Sequence, residues 1–192
     1  MKAYLIGIQL CVLRHFTGGN TILTQGGLFI NTLDPELGHY TPLLINVIQF
    51  IFVIIGLIYI QKISGKRSLF LISLPCMFLL NVALAISMMN YSVLPSVMIM
   101  CIFMAVFGGS FISPNWGYST EIIPTSQALV PNIVHWLFLS ISTLVPPVIA
   151  GIMPGNNAYP VFIFFGLYSL FGMIHVFATL KESEGKTYDE II

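Results

Sequence analysis

Charge is what this 192-residue sequence has least of: Asp, Glu, Lys and Arg together make up 7% of it. A water-soluble domain carries roughly 25%, so a chain this poor in charge cannot coat a surface that faces water. Disorder is excluded because it needs low hydrophobicity and high net charge, whereas 57% of these residues are hydrophobic and the net charge is +0. The same balance removes the basic footprint of a nucleic-acid binder. Cysteine is scarce as well. Cys11, Cys76 and Cys101 lie far apart, each inside an apolar run, which leaves neither a disulfide framework nor a Cys/His metal spacing. P-loop, zincin and nucleophile-elbow patterns are missing too. The chain is therefore expected to hold no metal, cofactor or catalytic set, and not to be an enzyme.

What it has instead is apolar length. Runs at residues 3–30, 41–60, 68–89, 93–113, 128–153 and 159–180 are each at or above the ~20 residues a helix needs to cross a bilayer. Barrel strands alternate and need only about ten residues, so continuous runs of this length exclude them. Turn residues punctuate the connections at Asp34-Pro35, Ser64-Gly65, Ser113-Pro114-Asn115 and Pro154-Gly155-Asn156-Asn157. The expectation is an all-α membrane protein, one bundle of six transmembrane helices in the lipid bilayer, with a tail at residues 181–192. Met1-Lys2 and the apolar stretch behind it look like the start of a signal peptide, but Arg14 and His15 follow where a small-residue cleavage site would be needed. Lys2, Lys62, Lys66, Arg67, Lys181 and Lys186 fall on one side if the helices alternate. That side is the cytoplasm by the positive-inside rule, which puts both termini there.

Glycine pairs are the next signal. Gly18-Gly19, and Gly26-Gly27 further on, lie in the first run, and Gly108-Gly109 lies in the fourth, which is expected to end at Pro114. Taken as helix breaks at corresponding places of two three-helix sets, they point to inverted repeats around a transport site. Taken as small-residue packing, they need no substrate. Arg14 sits deep in its span, where a charge costs at least ~2.5–3.5 kcal/mol on insertion scales, so it should face a cavity or a partner. His15 and His135 either hydrogen-bond a hydroxylated ligand or bridge helices.

Four motifs then occur in order: QLCVLRHFTGGN at 9–20, GKR at 65–67, PNWGYSTEIIP at 114–124 and KESEGKTYDEI at 181–191. Together they resemble the seventh helix, the loop between helices eight and nine, the stretch after helix ten and the tail of sugar porters of the major facilitator superfamily. The resemblance covers nearly the whole chain and is to the C-terminal half of such a transporter. It implies six helices in two inverted three-helix repeats, forming one bundle of a major facilitator fold. It implies transport of a small hydroxylated solute such as a hexose by alternating access, in the plasma membrane. The alternative is a transport-inactive fragment or regulatory half that associates with another transporter chain. Either way the implied partner is the missing N-terminal bundle or a second copy.

The resemblance also assigns residues. Asn20 matches the family's Asn, while the family's Gln pair falls on Arg14 and His15. Gln49, Trp116 and His135 lie where the family places further substrate contacts, and Gly65, Lys66, Arg67 and Glu121 where it places cytoplasmic gating motifs. Two departures thin the gating charges. Gln61, Lys62, Ile63 and Ser64 offer no acid before Gly65, and Ser126, Gln127 and Ala128 stand where arginines follow Pro124.

Overall fold

A computed structural model describes residues 2–60, 65–122, 129–152 and 158–181, and among them all regular structure is helical. Span I is split into α1 (Lys2–Phe16) and α2 (Gly19–Asn31). Span II is α3 (Pro35–Ile55), which runs into a π-helical turn at Gly56–Ile60, and span III is α4 (Lys66–Met89). Span IV begins as α5 (Val93–Val106), widens into a π-helical segment at Phe107–Ile112 and continues as α6 (Ser113–Ile122). Spans V and VI are α7 (Leu129–Ile152) and α8 (Tyr159–Thr179).

Local chemistry sets several of these ends. The Asp34 carboxylate accepts from the backbone N–H of Glu36 at 3.0 Å and of Leu37 at 3.1 Å, and Pro35 occupies the first helical turn. A capping acid followed by proline is a strong start signal. The second span therefore begins at Pro35, not at residue 41, and the expected loop shrinks to a turn: capping outweighs the polarity of the segment up to Tyr40. Between spans III and IV, Tyr91 takes a φ of 53°. The Ser87 and Ser96 hydroxyls bond each other at 2.8 Å and close the connection. Lys62 and the rest of residues 61–64, residues 123–128 with Pro124, residues 153–157 and the tail from Glu182 to Ile192, Lys186 included, lie outside the described residues.

The packing shows the repeat. Span I lies against V as span IV lies against II; III lies against IV as VI lies against I; and the III–VI pair maps onto itself. These are the contacts of two inverted three-helix repeats. The core is rich in aromatic rings. Phe70, Phe107 and Phe111 are fully buried, with ring centroids 5.4 Å apart for Phe70–Phe111 and 5.8 Å for Phe107–Phe111. The outward faces are apolar instead of charged: Leu43, Phe50 and Phe177 are each more than 60% exposed, as suits elements whose solvent is hydrocarbon.

The other glycine pairs behave differently from Gly18-Gly19: one lies in continuous α-helix, and the other lies where span IV passes from α- to π-helical geometry. Gly26 and Gly27 lie inside the continuous α2. A Cβ on Gly27 would come within 2.5 Å of the Pro42 ring, so the pair lets α3 approach. Gly108 and Gly109 lie inside the π segment. A Cβ on Gly56 would strike the Gly109 carbonyl, and one on Gly108 would lie 3.0 Å from the Gln49 carbonyl. In span IV small residues thus serve backbone-to-backbone packing. Nor does Pro114 end that helix, which runs on to Ile122. Proline lacks an N–H and its ring crowds the carbonyl four residues back; the π segment just before it shifts that carbonyl's register by one residue.

Candidate functional site

Among the described residues, only span I is truly interrupted within its length. Gly18 sits between α1 and α2 with φ 95° and ψ −10°, a left-handed conformation that glycine alone adopts without cost. An interruption inside a membrane leaves carbonyls and N–H groups without helical partners, and side chains meet two of the carbonyls here. Asn81 on α4 is fully buried and donates through Nδ2 to the Thr17 carbonyl at 3.0 Å. The Thr17 hydroxyl donates to the Arg14 carbonyl at 3.1 Å, and the Ile22 N–H returns to the Gly18 carbonyl at 2.9 Å. Thr21 crosses to α7, donating to the Ser142 carbonyl at 2.8 Å.

Around this break lies a chain of polar side chains. Asn20, in the first turn of α2, places its Nδ2 2.6 Å from His15 Nδ1. An amide nitrogen only donates, so His15 Nδ1 accepts and its proton is on Nε2. His15 Nε2 lies 3.0 Å from His135 Nδ1 on α7 and donates to it, which places the His135 proton on Nε2. His15 is fully buried and Asn20 is 7% exposed, while His135 is half-buried. The Trp136 ring meets His135 edge-on at 5.7 Å and is 66% exposed. Arg14 is half-buried in the last turn of α1. A cation there complements the negative end of the interrupted helix.

The structure thus brings Arg14, His15, Asn20 and His135 together and sets the others apart. Gln49 is half-buried on the seam between spans II and IV, beside Gly108. Asn115 donates to the Leu10 carbonyl at 3.3 Å. This sets the backbone of Trp116 about eight residues, or roughly 12 Å at 1.5 Å per residue, from the Gly18 level. The side chains of Trp116 and Glu121 lie outside the described residues. One residue of the site is not expected from the sequence: Asn81 gives no signal there beyond being a lone amide in an apolar run. Trp136 is signalled by the His135-Trp136 pair, which lies where the family often has Asn-Trp.

At the far end of the bundle, Lys66 lies along the face that Gly117 leaves open, its Cε 3.3 Å from where a Cβ would be. Arg67 donates to the Phe177 carbonyl at 3.1 Å and lies over the Phe177 ring at 5.8 Å. The Tyr118 hydroxyl donates to the Lys181 carbonyl at 3.0 Å. The GKR motif therefore ties the ends of spans III, IV and VI.

The profile of the family described as "Sugar (and other) transporter" matches residues 1–192. The chain belongs to that family. Among solved structures, it is similar to the major facilitator superfamily proton:xylose symporter XylE bound to 6-bromo-6-deoxy-D-glucose, with a TM-score of 0.83 and 19% identity over 97% of this chain and 41% of that one. It is also similar to a partially occluded, inward-open conformation of the xylose transporter XylE from E. coli, with a TM-score of 0.80 and 18% identity over 96% of this chain and 40% of that one. The chain thus spans about two-fifths of the solved transporters it matches. No curated protein sequence matches it. At these identities the likeness establishes the fold, a six-helix bundle of the major facilitator type, and with it a multi-pass membrane protein.

Proposed function

We propose that this chain is the C-terminal bundle of a sugar transporter and carries a sugar-like solute by alternating access. The observation that carries the reading is the Asn20–His15–His135 chain at the interruption of span I. An interrupted helix at mid-membrane, with polar groups converging on it, is how transporters of this architecture build a site. Sugar hydroxyls are both donors and acceptors. His135 Nε2–H and Arg14 supply donors, and the exposed Trp136 ring supplies a flat apolar surface for a pyranose face; Gln49, on the seam between spans II and IV, stands outside this cluster. Trp136 takes the role expected of Trp116, whose backbone is about two turns away. A guanidinium prefers anions, so Arg14 biases the site toward acidic or phosphorylated sugars over neutral hexoses.

Rocking requires a second bundle, and the proposed partner is an N-terminal six-helix bundle or a second copy of this chain. Both termini are assigned to the cytoplasm and the protein to the plasma membrane. Lys66 and Arg67, with Gly65 and Glu121, act at the cytoplasmic gate. The test is uptake by the assembled two-bundle transporter in liposomes, with hexose, hexuronate and hexose phosphate as competitors. Asn20→Leu should lower uptake at least tenfold in folded protein. Arg14→Gln should move preference from the charged sugars toward hexose. Saturable uptake unaffected by both changes would assign the cluster to helix packing, and absence of any sugar uptake by the assembled protein would end the transport reading.

A further inference from the structure

On the flank of the bundle away from the break, spans I and VI leave a cavity of about 180 Å³ lined by Ile8, Val12, Leu13, Tyr168 and Phe171. The outward face of α8 along this seam is otherwise apolar: Leu167, Phe171, Ile174 and Phe177 are each about 60% exposed or more. That is a lipid-facing surface, and a polar cluster interrupts it. His175 Nε2 lies 2.9 Å from Gln9 Oε1 and 3.3 Å from the Thr179 hydroxyl. A carboxamide oxygen only accepts, so His175 Nε2 carries the proton and donates. Thr179 donates onward to the His175 carbonyl at 2.7 Å. Gln9 Oε1 is therefore occupied, and the Gln9 amide N–H₂ has no acceptor among the described residues, although the residue is exposed. Polar hydrogens left bare in hydrocarbon are costly, and the polar chain at the break does not use them.

Depth decides what can satisfy them. Gln9 is about 10 Å along α1 from Lys2, and His175 about 6 Å from the end of α8 at Thr179, at 1.5 Å per residue. Both helix ends belong to the lysine-bearing end of the bundle, where Tyr118 meets Lys181. With the lysines of that end at the headgroups, this distance falls at the boundary between headgroups and acyl chains, the level of the glycerol esters. An ester carbonyl is a pure acceptor, which is what the occupied Gln9 Oε1 leaves room for.

We propose that this seam is a binding site for a glycerophospholipid of the adjacent leaflet. One ester carbonyl accepts from Gln9 Nε2, and the acyl chain below it lies in the groove between the aliphatic wall of Ile8 and Val12 and the aromatic wall of Tyr168 and Phe171. His175 is a positioning residue that holds the Gln9 amide with its nitrogen outward.

The test uses wild-type chain in its native complex, reconstituted with diazirine-bearing lipids and mapped after photolysis. A diester phospholipid should label peptides containing Ile8–Val12 and Tyr168–Phe171. An ether-linked analogue of the same chain length, which lacks the carbonyl, should label them at least fivefold less. Gln9→Leu should lower diester labelling to the ether level and remove the difference between the two lipids. Labelling by ester and ether lipids alike, or diester labelling unchanged in Gln9→Leu, would overturn the site. So would stronger labelling of the same peptides by a diazirine sterol than by the diester lipid.

Discussion

Spans I and IV are related by the internal repeat, both carry a Gly-Gly pair, and they have become different things. Span I is broken at Gly18, where φ is 95°, and its middle is polar, with His15, Thr17, Asn20 and Thr21 all buried. Span IV stays helical through Gly108 and Gly109, and its middle is aromatic, with Phe103, Phe107 and Phe111 in a ladder of ring contacts at 6.2 and 5.8 Å. The two meet where the Phe107 ring occupies the space a Cβ on Gly19 would need. A glycine pair by itself does not break a helix. It permits close approach, and a break follows only where a left-handed residue and outside caps are both supplied. Asn81 supplies the cap in span I, while in span IV the Gly109 carbonyl is met by Gly56 of span II.

That contrast can be attacked at its packing end first. Gly56→Ala drives a methyl into the Gly109 carbonyl, and backbone cannot swing aside as a side chain can. The expected loss is about 3 kcal/mol, the top of the usual range for overpacking. It should be read as a lowered midpoint of unfolding in detergent; an unchanged midpoint would mean that spans II and IV do not touch there. Gly18→Ala comes next. A left-handed alanine costs about 1–2 kcal/mol, and its Cβ would also press on the Phe165 ring at 3.0 Å. Gly108→Ala should cost within about 1 kcal/mol, because alanine is the better helix former and its tight contacts are offset by that gain. If Gly18→Ala and Gly108→Ala proved equally mild in the same unfolding measurement, the distinction between a broken and a packed helix would fall.

Much of this architecture is legible in the sequence. Apolar run length identifies the helical class, and four weak motifs in the right order identify the family, because both are sums over many residues. Single positions are less legible. What the Gly108-Gly109 pair does depends on Gln49 and Gly56, over fifty residues away in sequence, and nothing local reports those neighbours. The start of span II is hidden because an Asp-Pro pair serves equally as a turn and as a cap, and only the helix that follows decides between them. Asn81 does not stand out, since its value comes from a carbonyl that is exposed only by a break in another span. His15 and His135 are each visible as polar residues in apolar runs, but their pairing is a tertiary fact.

A coupling of comparable size should lie in that pairing, and it separates the polar break from the aromatic span most sharply. His15 Nε2 and His135 Nδ1 are 3.0 Å apart with rings 4.7 Å between centroids, so replacing either removes the same hydrogen bond. His15→Phe and His135→Phe should each weaken sugar affinity in the assembled transporter, and together they should weaken it by less than the sum. The shortfall should be about 0.5–1.5 kcal/mol, the net worth of a hydrogen bond, measured as the interaction energy of a double-mutant cycle. A parallel cycle on Phe107 and Phe111 in span IV should show coupling in stability but none in affinity, since neither ring belongs to the polar chain. Strict additivity of the histidine pair would mean that the two rings contact ligand independently, and coupling of the phenylalanine pair in affinity would extend the site into span IV.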